Sequence, residues 1–209
     1  RRPDAQGTFE CDHQQVNIGL GHTRLSILDL SEKGNQPFAS KDGKIQLIMN
    51  GEIYNYLELK ERHFKHEQFR SNPDTEVALK LYEKLGKAFV EELNGDFVIA
   101  IWDELLGELI LVRDRAGVKP LYYYNDGRFV FGSEIKSIIK SGYRPALNEN
   151  ELQNFFLFKY TPQNNTLFKG IHRLPPASLA TYNLTNREFS IKRYWRPHKE
   201  GNYRGIDYS

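Results

Sequence analysis

Cysteine is almost absent. Cys11 is the single thiol among 209 residues, so no intrachain disulfide can form, and a reducing, cytoplasmic setting is the expectation. Long apolar runs are missing too: the longest, residues 97–102, is far too short to cross a bilayer, and no secretory signal is visible. Charge of one sign never accumulates. Lys and Arg number 29 against 27 Asp and Glu, a formal net charge of +2, with no like-charge block. Nothing therefore points to a nucleic-acid partner or an anionic membrane. The six histidines lack metal-ligand spacing, and there is no phosphate-cradling glycine loop, internal repeat or low-complexity tract. What remains is a chain long enough to bury a sizeable core, as one large domain or two small ones.

The ends carry their own expectation. The chain opens Arg1-Arg2-Pro3-Asp4 without Met, which reads as a piece of something longer, and residues 196–209 are polar and aperiodic, like a linker. Between them, alternation predicts strands over 16–20, 24–30 and 44–48, and a β-rich middle predicts them over 97–103, 109–113, 121–124 and 128–131. Asn125-Asp126-Gly127 reads as a hairpin turn. Two further strands, 178–182 and 189–195, flank another turn. Helical stripes fall at 57–64, 74–85, 134–140 and 149–158, the second entered through capping residues at 71–76. Strands and helices come in groups without strict alternation, so the fold class is α+β with antiparallel sheets.

The stretch around which the rest is organised is Asn50-Gly51-Glu52-Ile53-Tyr54-Asn55, read as the place where the 44–48 strand stops and the chain turns. Asn50 offers side-chain N–H donors, and Gly51 lets a backbone N–H approach a ligand without an intervening Cβ. Two donors aimed at one point make an oxyanion hole, and Glu52 can hold a cation. Taken alone, the tripeptide is more often an ordinary turn. Two other clusters change that balance: Arg24, at the start of its predicted strand, and Asp74, at a helix start. An Arg to clamp a carboxylate, two acids for an ammonium and an Asn-Gly pair for a developing oxyanion fit an amino acid with a side-chain amide, which glutamine is.

The sequence resembles the glutaminase domain of asparagine synthetase, a class II glutamine amidotransferase. The matching residues are Arg2-Pro3-Asp4 with Gly7, residues 21–30, Gln36-Pro37, 50–55, Asp74-Thr75-Glu76-Val77, Asn94-Gly95-Asp96-Phe97, 113–122, Ser133-Glu134-Ile135-Lys136, 166–171 and Leu174-Pro175-Pro176. They cover nearly the whole chain, in order. The resemblance implies a four-layer αββα sandwich of the N-terminal-nucleophile hydrolase type over residues 1–195. It implies hydrolysis of glutamine through a Cys thioester, with ammonia passed to an ATP- and Mg-using synthetase domain that amidates aspartate. It makes Asn50 and Gly51 the oxyanion hole, Arg24 with the backbone of Leu25, Ser26, Ile27 and Leu28 the carboxylate site, and Glu52 with Asp74 the ammonium site. The domain itself needs no cofactor or metal. Its partners are glutamine and the synthetase domain, with a homodimer open.

One departure is large. The family's nucleophile belongs to a Met-Cys-Gly start upstream of Arg-Pro-Asp, where this sequence has no residues, so the chain as written is expected to be inactive. Cys11 cannot substitute: it lies between Glu10 and Asp12, where acidic neighbours oppose a thiolate, and it lacks a free α-amine. A pair with His13 is conceivable, but a hairpin cysteine without catalytic role fits better. The absent strand should leave a sheet edge open. Arg113-Asp114-Arg115-Ala116-Gly117 reads as a structural loop held by charge-assisted bonds. Glu134 and Lys136 read as surface residues, and Tyr122-Tyr123-Tyr124 as core and sheet surface. Two rival readings keep the fold: an amidotransferase with another acceptor, such as a sugar carboxylate or antibiotic precursor, and a non-catalytic glutamine-binding module.

Overall fold

The computed structural model describes residues 5–24, 35–70 and 74–197, the side chains of Ala5 and Arg24 excepted. Its strands are β1 (Ala5–His13), β2 (Val16–Arg24), β3 (Phe38–Ala39), β4 (Ile45–Ile53), β5 (Gly95–Asp103), β6 (Glu108–Arg113), β7 (Tyr122–Asn125), β8 (Phe129–Gly132), β9 (Ile171–Arg173), β10 (Ser178–Asn183) and β11 (Phe189–Arg193). Its helices are α1 (Tyr56–Phe64), α2 (Asp74–Leu85), α3 (Phe89–Glu92), α4 (Ile135–Lys140) and α5 (Glu149–Phe158).

The six-stranded sheet, in the order β11-β10-β6-β5-β4-β3, is antiparallel throughout. Its central strand explains the layering. From Phe97 to Asp103 every residue of β5 is buried, so both of its faces are covered. Phe97, Ile99 and Ile101 point to one side, where Leu47, Met49, Ile110 and Val112 join the apolar faces of α1, α2 and α3. Val98, Ala100 and Trp102 point to the other, where Ile48 and Leu111 meet Leu20 of β2 and Leu121, with Phe129 and Phe131 of β8 packed alongside. Side chains alternate across a pleat, so one apolar strand feeds two cores. A third cluster, Ile138 of α4 with Tyr143 and Ile171, backs the β8-β7-β9 sheet from outside, against Tyr122 and Tyr124. The order from one surface to the other is helices, six-stranded sheet, second β layer, helix. This is the αββα arrangement.

Helix α2 follows its predicted bounds. Val77, Ala78, Leu79, Leu81 and Tyr82 are all within 3% exposure, and each large apolar side chain so covered contributes about 1.5–3 kcal/mol. The hairpin through Asn125-Asp126-Gly127 joins β7 to β8, and the tyrosine run lies in sheet and core as expected. Cys11 sits in the β1–β2 hairpin opposite Ile18, and His13 lies edge-on to Trp102 at 5.3 Å.

Two expectations need correction. Residues 16–20 and 24 belong to one strand: β2 continues through Gly21-His22-Thr23, so Arg24 is its last described residue and does not open a second strand. Pairing with β1 along all nine positions outweighs the two glycines that break the apolar pattern. The run 25–30 and the capping residues 71–73 lie outside the described residues. Second, β4 does not stop before Asn50. It runs to Ile53, with Asn50, Gly51 and Glu52 opposite Val98, Phe97 and Asp96. β1, β3 and β9 carry too little alternation to be read from sequence.

Candidate active site

Asn50, Gly51 and Glu52 are therefore strand residues, and the chain turns only after Ile53. Gly51 makes this geometry available. Its φ of +129° lies outside the range an L side chain ordinarily adopts, and an added Cβ would lie 2.0 Å from the Asp96 carbonyl oxygen. Gly95, opposite Ile53, allows the reciprocal approach: a Cβ there would lie 2.1 Å from the Glu52 carbonyl oxygen. Two glycines on facing strands let β4 and β5 close together behind the site.

The backbone just before Asn50 is pinned from two directions. The Met49 N–H donates to Gln36 Oε1 at 2.6 Å, and the His22 Nε2–H donates to the Met49 carbonyl at 3.0 Å. The second bond brings the end of β2 against β4, with Arg24 two residues beyond His22 on the same strand. Asn50 is exposed, and its Nδ2 donates to Ser133 Oγ at 3.5 Å, a long bond that engages one of its two N–H donors only weakly.

Asp74 is drawn to the same place. Its Oδ2 accepts the Ile53 N–H at 2.8 Å and its Oδ1 the Thr75 N–H at 2.9 Å, so it caps α2 and ties that helix to the end of β4. Burial pushes its carboxyl above the ordinary carboxylate range. The two N–H bonds oppose that rise, and the negative charge of Glu52 adds to it. Two carboxylates in mutual repulsion, one of them half-buried, form a field that a cation relieves. Across the strand pair, Asp96 faces Glu52 and accepts the Tyr54 hydroxyl at 2.6 Å. Asp96, His22 and Gln36 had no role assigned from sequence. Only the β4–β5 register and the approach of β2 reveal them.

Beside Asn50 opens a cavity of about 940 Å³, bounded by β2 on one side and residues 127–134 on the other. Ile48, Val98, Ala100 and Leu121 floor it, and Ser133, Glu134 and Lys136 stand at its rim. Glu134 and Lys136, expected to be plain surface, pair with each other there. Among the described strands β2 bonds only β1 and β8 bonds only β7. The outer edges of β2 and β8 thus flank this space unpaired.

The Arg113–Asp114 loop lies behind the same strand ends, with Arg113 opposite Val98, itself opposite Asn50, and the Asp114 N–H donating to the Phe97 carbonyl at 2.9 Å. Its bonds are structural, as expected. Arg113 donates to the carbonyls of Lys119, Leu174 and Gly117 at 2.7, 2.6 and 2.6 Å. The fully buried Asp114 accepts the N–H groups of Val118 and Lys119 at 2.9 and 3.0 Å. Burial, then the negative charge of Glu104, raise the thiol pKa of Cys11, which disfavours its thiolate. Among the described residues, no group of three or more His, Cys, Asp or Glu could hold a metal ion. No helix among them is long and apolar enough to cross a membrane. The backbone of residues 25–28 and the side chain of Arg24 lie outside the described residues.

The chain is thus an αββα sandwich that displays an Asn-Gly pair and two acids at one strand end, beside an open slot. Residues 1–195 match the glutamine amidotransferase domain family, and the chain belongs to it. It is 38% identical over 213 residues to a putative glutamine-hydrolysing asparagine synthetase 2 of Methanocaldococcus jannaschii, covering 93% of this chain and 41% of that protein. It is 36% identical over 196 residues to the amidase chry2 of Gibberella zeae (93% and 28%). It is 40% identical over 190 residues to glutamine-hydrolysing asparagine synthetase 2 of Bacillus subtilis (88% and 25%). The chain thus spans less than half the length of each. Among solved structures, the glutamine phosphoribosylpyrophosphate amidotransferase of B. subtilis shares the fold, with a TM-score of 0.58 and 21% identity over 84% of this chain and 34% of that one.

Proposed function

We propose that this chain is the glutamine-hydrolysing domain of an asparagine synthetase-type enzyme, with residues 196–209 leading toward an ATP- and Mg-using synthetase domain. The observation that carries the reading is the bond from the Ile53 N–H to Asp74, which sets a charged helix start against the strand end bearing Asn50, Gly51 and Glu52. Arg24 and the backbone of Leu25 to Leu28 clamp the α-carboxylate of glutamine. Glu52 and Asp74 take the ammonium, whose positive charge offsets both the burial and the smaller repulsion from Glu52 that raise the pKa of the Asp74 carboxyl.

The reaction runs at the side-chain amide. A thiolate from an N-terminal Cys, supplied by residues upstream of Arg1 in the longer protein, forms a C–S bond to the amide carbon. The carbonyl oxygen becomes an oxyanion facing the Asn50 side-chain N–H and the Gly51 N–H. Collapse breaks the C–N bond, the nitrogen leaves as ammonia with the proton taken from the thiol, and water then cleaves the thioester to glutamate. The slot between β2 and β8 suits an extended segment that pairs with both open edges and brings such a Cys beside Asn50. Ammonia then serves to amidate aspartate in the synthetase half. A glutaminase assay on the full-length protein tests the mechanism. Replacing the terminal Cys by Ala should abolish hydrolysis, and activity that survives the change would rule out this nucleophile.

A further inference from the structure

Helix α5 is anchored by polar bonds, and among the described residues none covers its apolar end. Its only buried residue is Glu151. That carboxylate accepts the side-chain amides of Asn165 and Asn154 at 2.8 and 3.1 Å, while the preceding Asn148 donates to the Thr166 carbonyl at 3.2 Å. At the far end, Phe156 is 68% exposed, Leu157 75%, Phe158 54% and, just past the helix, Tyr160 59%. Lys159 closes the helix in the left-handed conformation at φ +62°.

Consecutive helical residues point about 100° apart, so three apolar side chains in a row wrap most of the last turn. A helix end apolar all round is normally buried, and a ten-residue helix is marginal in water unless its apolar face is packed. The four side chains leave roughly 500 Å² of apolar surface open, at typical side-chain areas. That is near the upper end of what a monomer displays without a functional reason.

We propose that the last turn of α5 is the docking surface for the polypeptide that follows this domain in the longer protein, and that the incoming surface is apolar. The proposal rests on reading the chain as one domain of a longer synthetase-type enzyme, consistent with its covering 41%, 28% and 25% of three relatives. The tether selects this occupant over a second copy. A stable association between free chains covers about 800 Å² on each partner, rather more than half of it apolar, and forms only at the free concentration of the chain. A tethered domain meets the patch at an effective concentration in the millimolar range, and contacts between domains of one chain are stable at about 600–1,500 Å² in total.

Hydrogen–deuterium exchange on the full-length protein tests this, with Leu157→Asp as the variant and Leu105→Asp, at an equally open position in the β5–β6 turn (72% exposed), as the control. The amides of residues 154–160 are expected to exchange at least about tenfold more slowly in wild type and in Leu105→Asp than in Leu157→Asp. Cleavage by added protease between 196 and 209 is expected to rise only in Leu157→Asp. Rapid exchange at 154–160 in wild type overturns the proposal, and so does a Leu157→Asp protein that keeps full protection. A wild-type dimer that Leu157→Asp dissolves also overturns it, in favour of a second copy. Glutamine hydrolysis on the same wild-type sample separates this proposal from the functional one: protected α5 without hydrolysis supports the docking and sinks the assigned chemistry.

Discussion

Replacing Gly51 with Ala should damage the fold and the site together, by an amount set by two distinct effects. The new Cβ would lie 2.0 Å from the Asp96 carbonyl oxygen and 2.8 Å from the Phe97 Cα, both backbone atoms of the neighbouring strand, so no side chain can swing aside to admit it. Overpacking of this kind costs about 1–3 kcal/mol. Holding Ala at φ +129° adds about 1–3 kcal/mol of backbone strain. The expected loss in urea unfolding is therefore about 2–6 kcal/mol, read as a lower midpoint with an unchanged denaturant slope. Gly95→Ala offers an internal comparison. Its Cβ meets the Glu52 carbonyl oxygen at 2.1 Å without the positive φ, so it should cost about 1–3 kcal/mol. The double variant should fall short of the sum, because strands already forced apart by one methyl admit the second more easily. A Gly51→Ala protein within about 0.5 kcal/mol of wild type, the range of a neutral surface change, would refute the close approach of β4 and β5.

Three further outcomes follow from other residues. Arg113→Lys keeps the charge but loses the planar fork that reaches three carbonyls; with one bond kept and two lost at about 1.5–3 kcal/mol each, unfolding should report a drop of about 3–6 kcal/mol. The raised carboxyl of Asp74 gives a pH signature: the folded chain holds that proton more tightly than the unfolded one, so this contribution to stability is full below the ordinary carboxylate pKa and lost as pH rises through the folded value. An ammonium ligand prefers the ionised form, so glutamine affinity should climb over that same window, and titrations at stepped pH should show Asp74→Asn flattening the climb. Cys11→Ser should leave hydrolysis by the full-length protein unchanged, since the thiol lies in the β1–β2 hairpin with its pKa raised; abolished turnover would return that residue to the chemistry.

The sandwich was legible because its central strands and helices are strongly patterned. Residues 97–103 and 109–113 are apolar enough to announce buried strands, and Val77, Leu81 and Tyr82 repeat at helical spacing. Short edges such as Phe38–Ala39 and Ile171–Arg173 were not, since two or three residues carry no period and exist only through their partners. The nature of the Asn50–Glu52 stretch was misread for a similar reason. An Asn-Gly pair favours a turn locally, and only the facing Gly95, distant in sequence, lets the strand run on. Asp74 was legible as a helix cap, but its bond to Ile53 depends on tertiary packing that no local pattern encodes. The end of α5 was legible only as a helix, since an apolar run such as 155–158 ordinarily announces a buried face, and here Phe156, Leu157 and Phe158 are exposed.

The central claim is that one small zwitterion with a side-chain amide is held by groups from the end of β2, the end of β4 and the start of α2. Calorimetric titration of glutamine tests it most directly, using full-length protein whose terminal Cys is Ala so that ligand persists. Arg24→Ala in that background should weaken binding by about 2–5 kcal/mol, the usual cost of removing one partner from a buried charge pair. An affinity unchanged by that substitution would contradict the account.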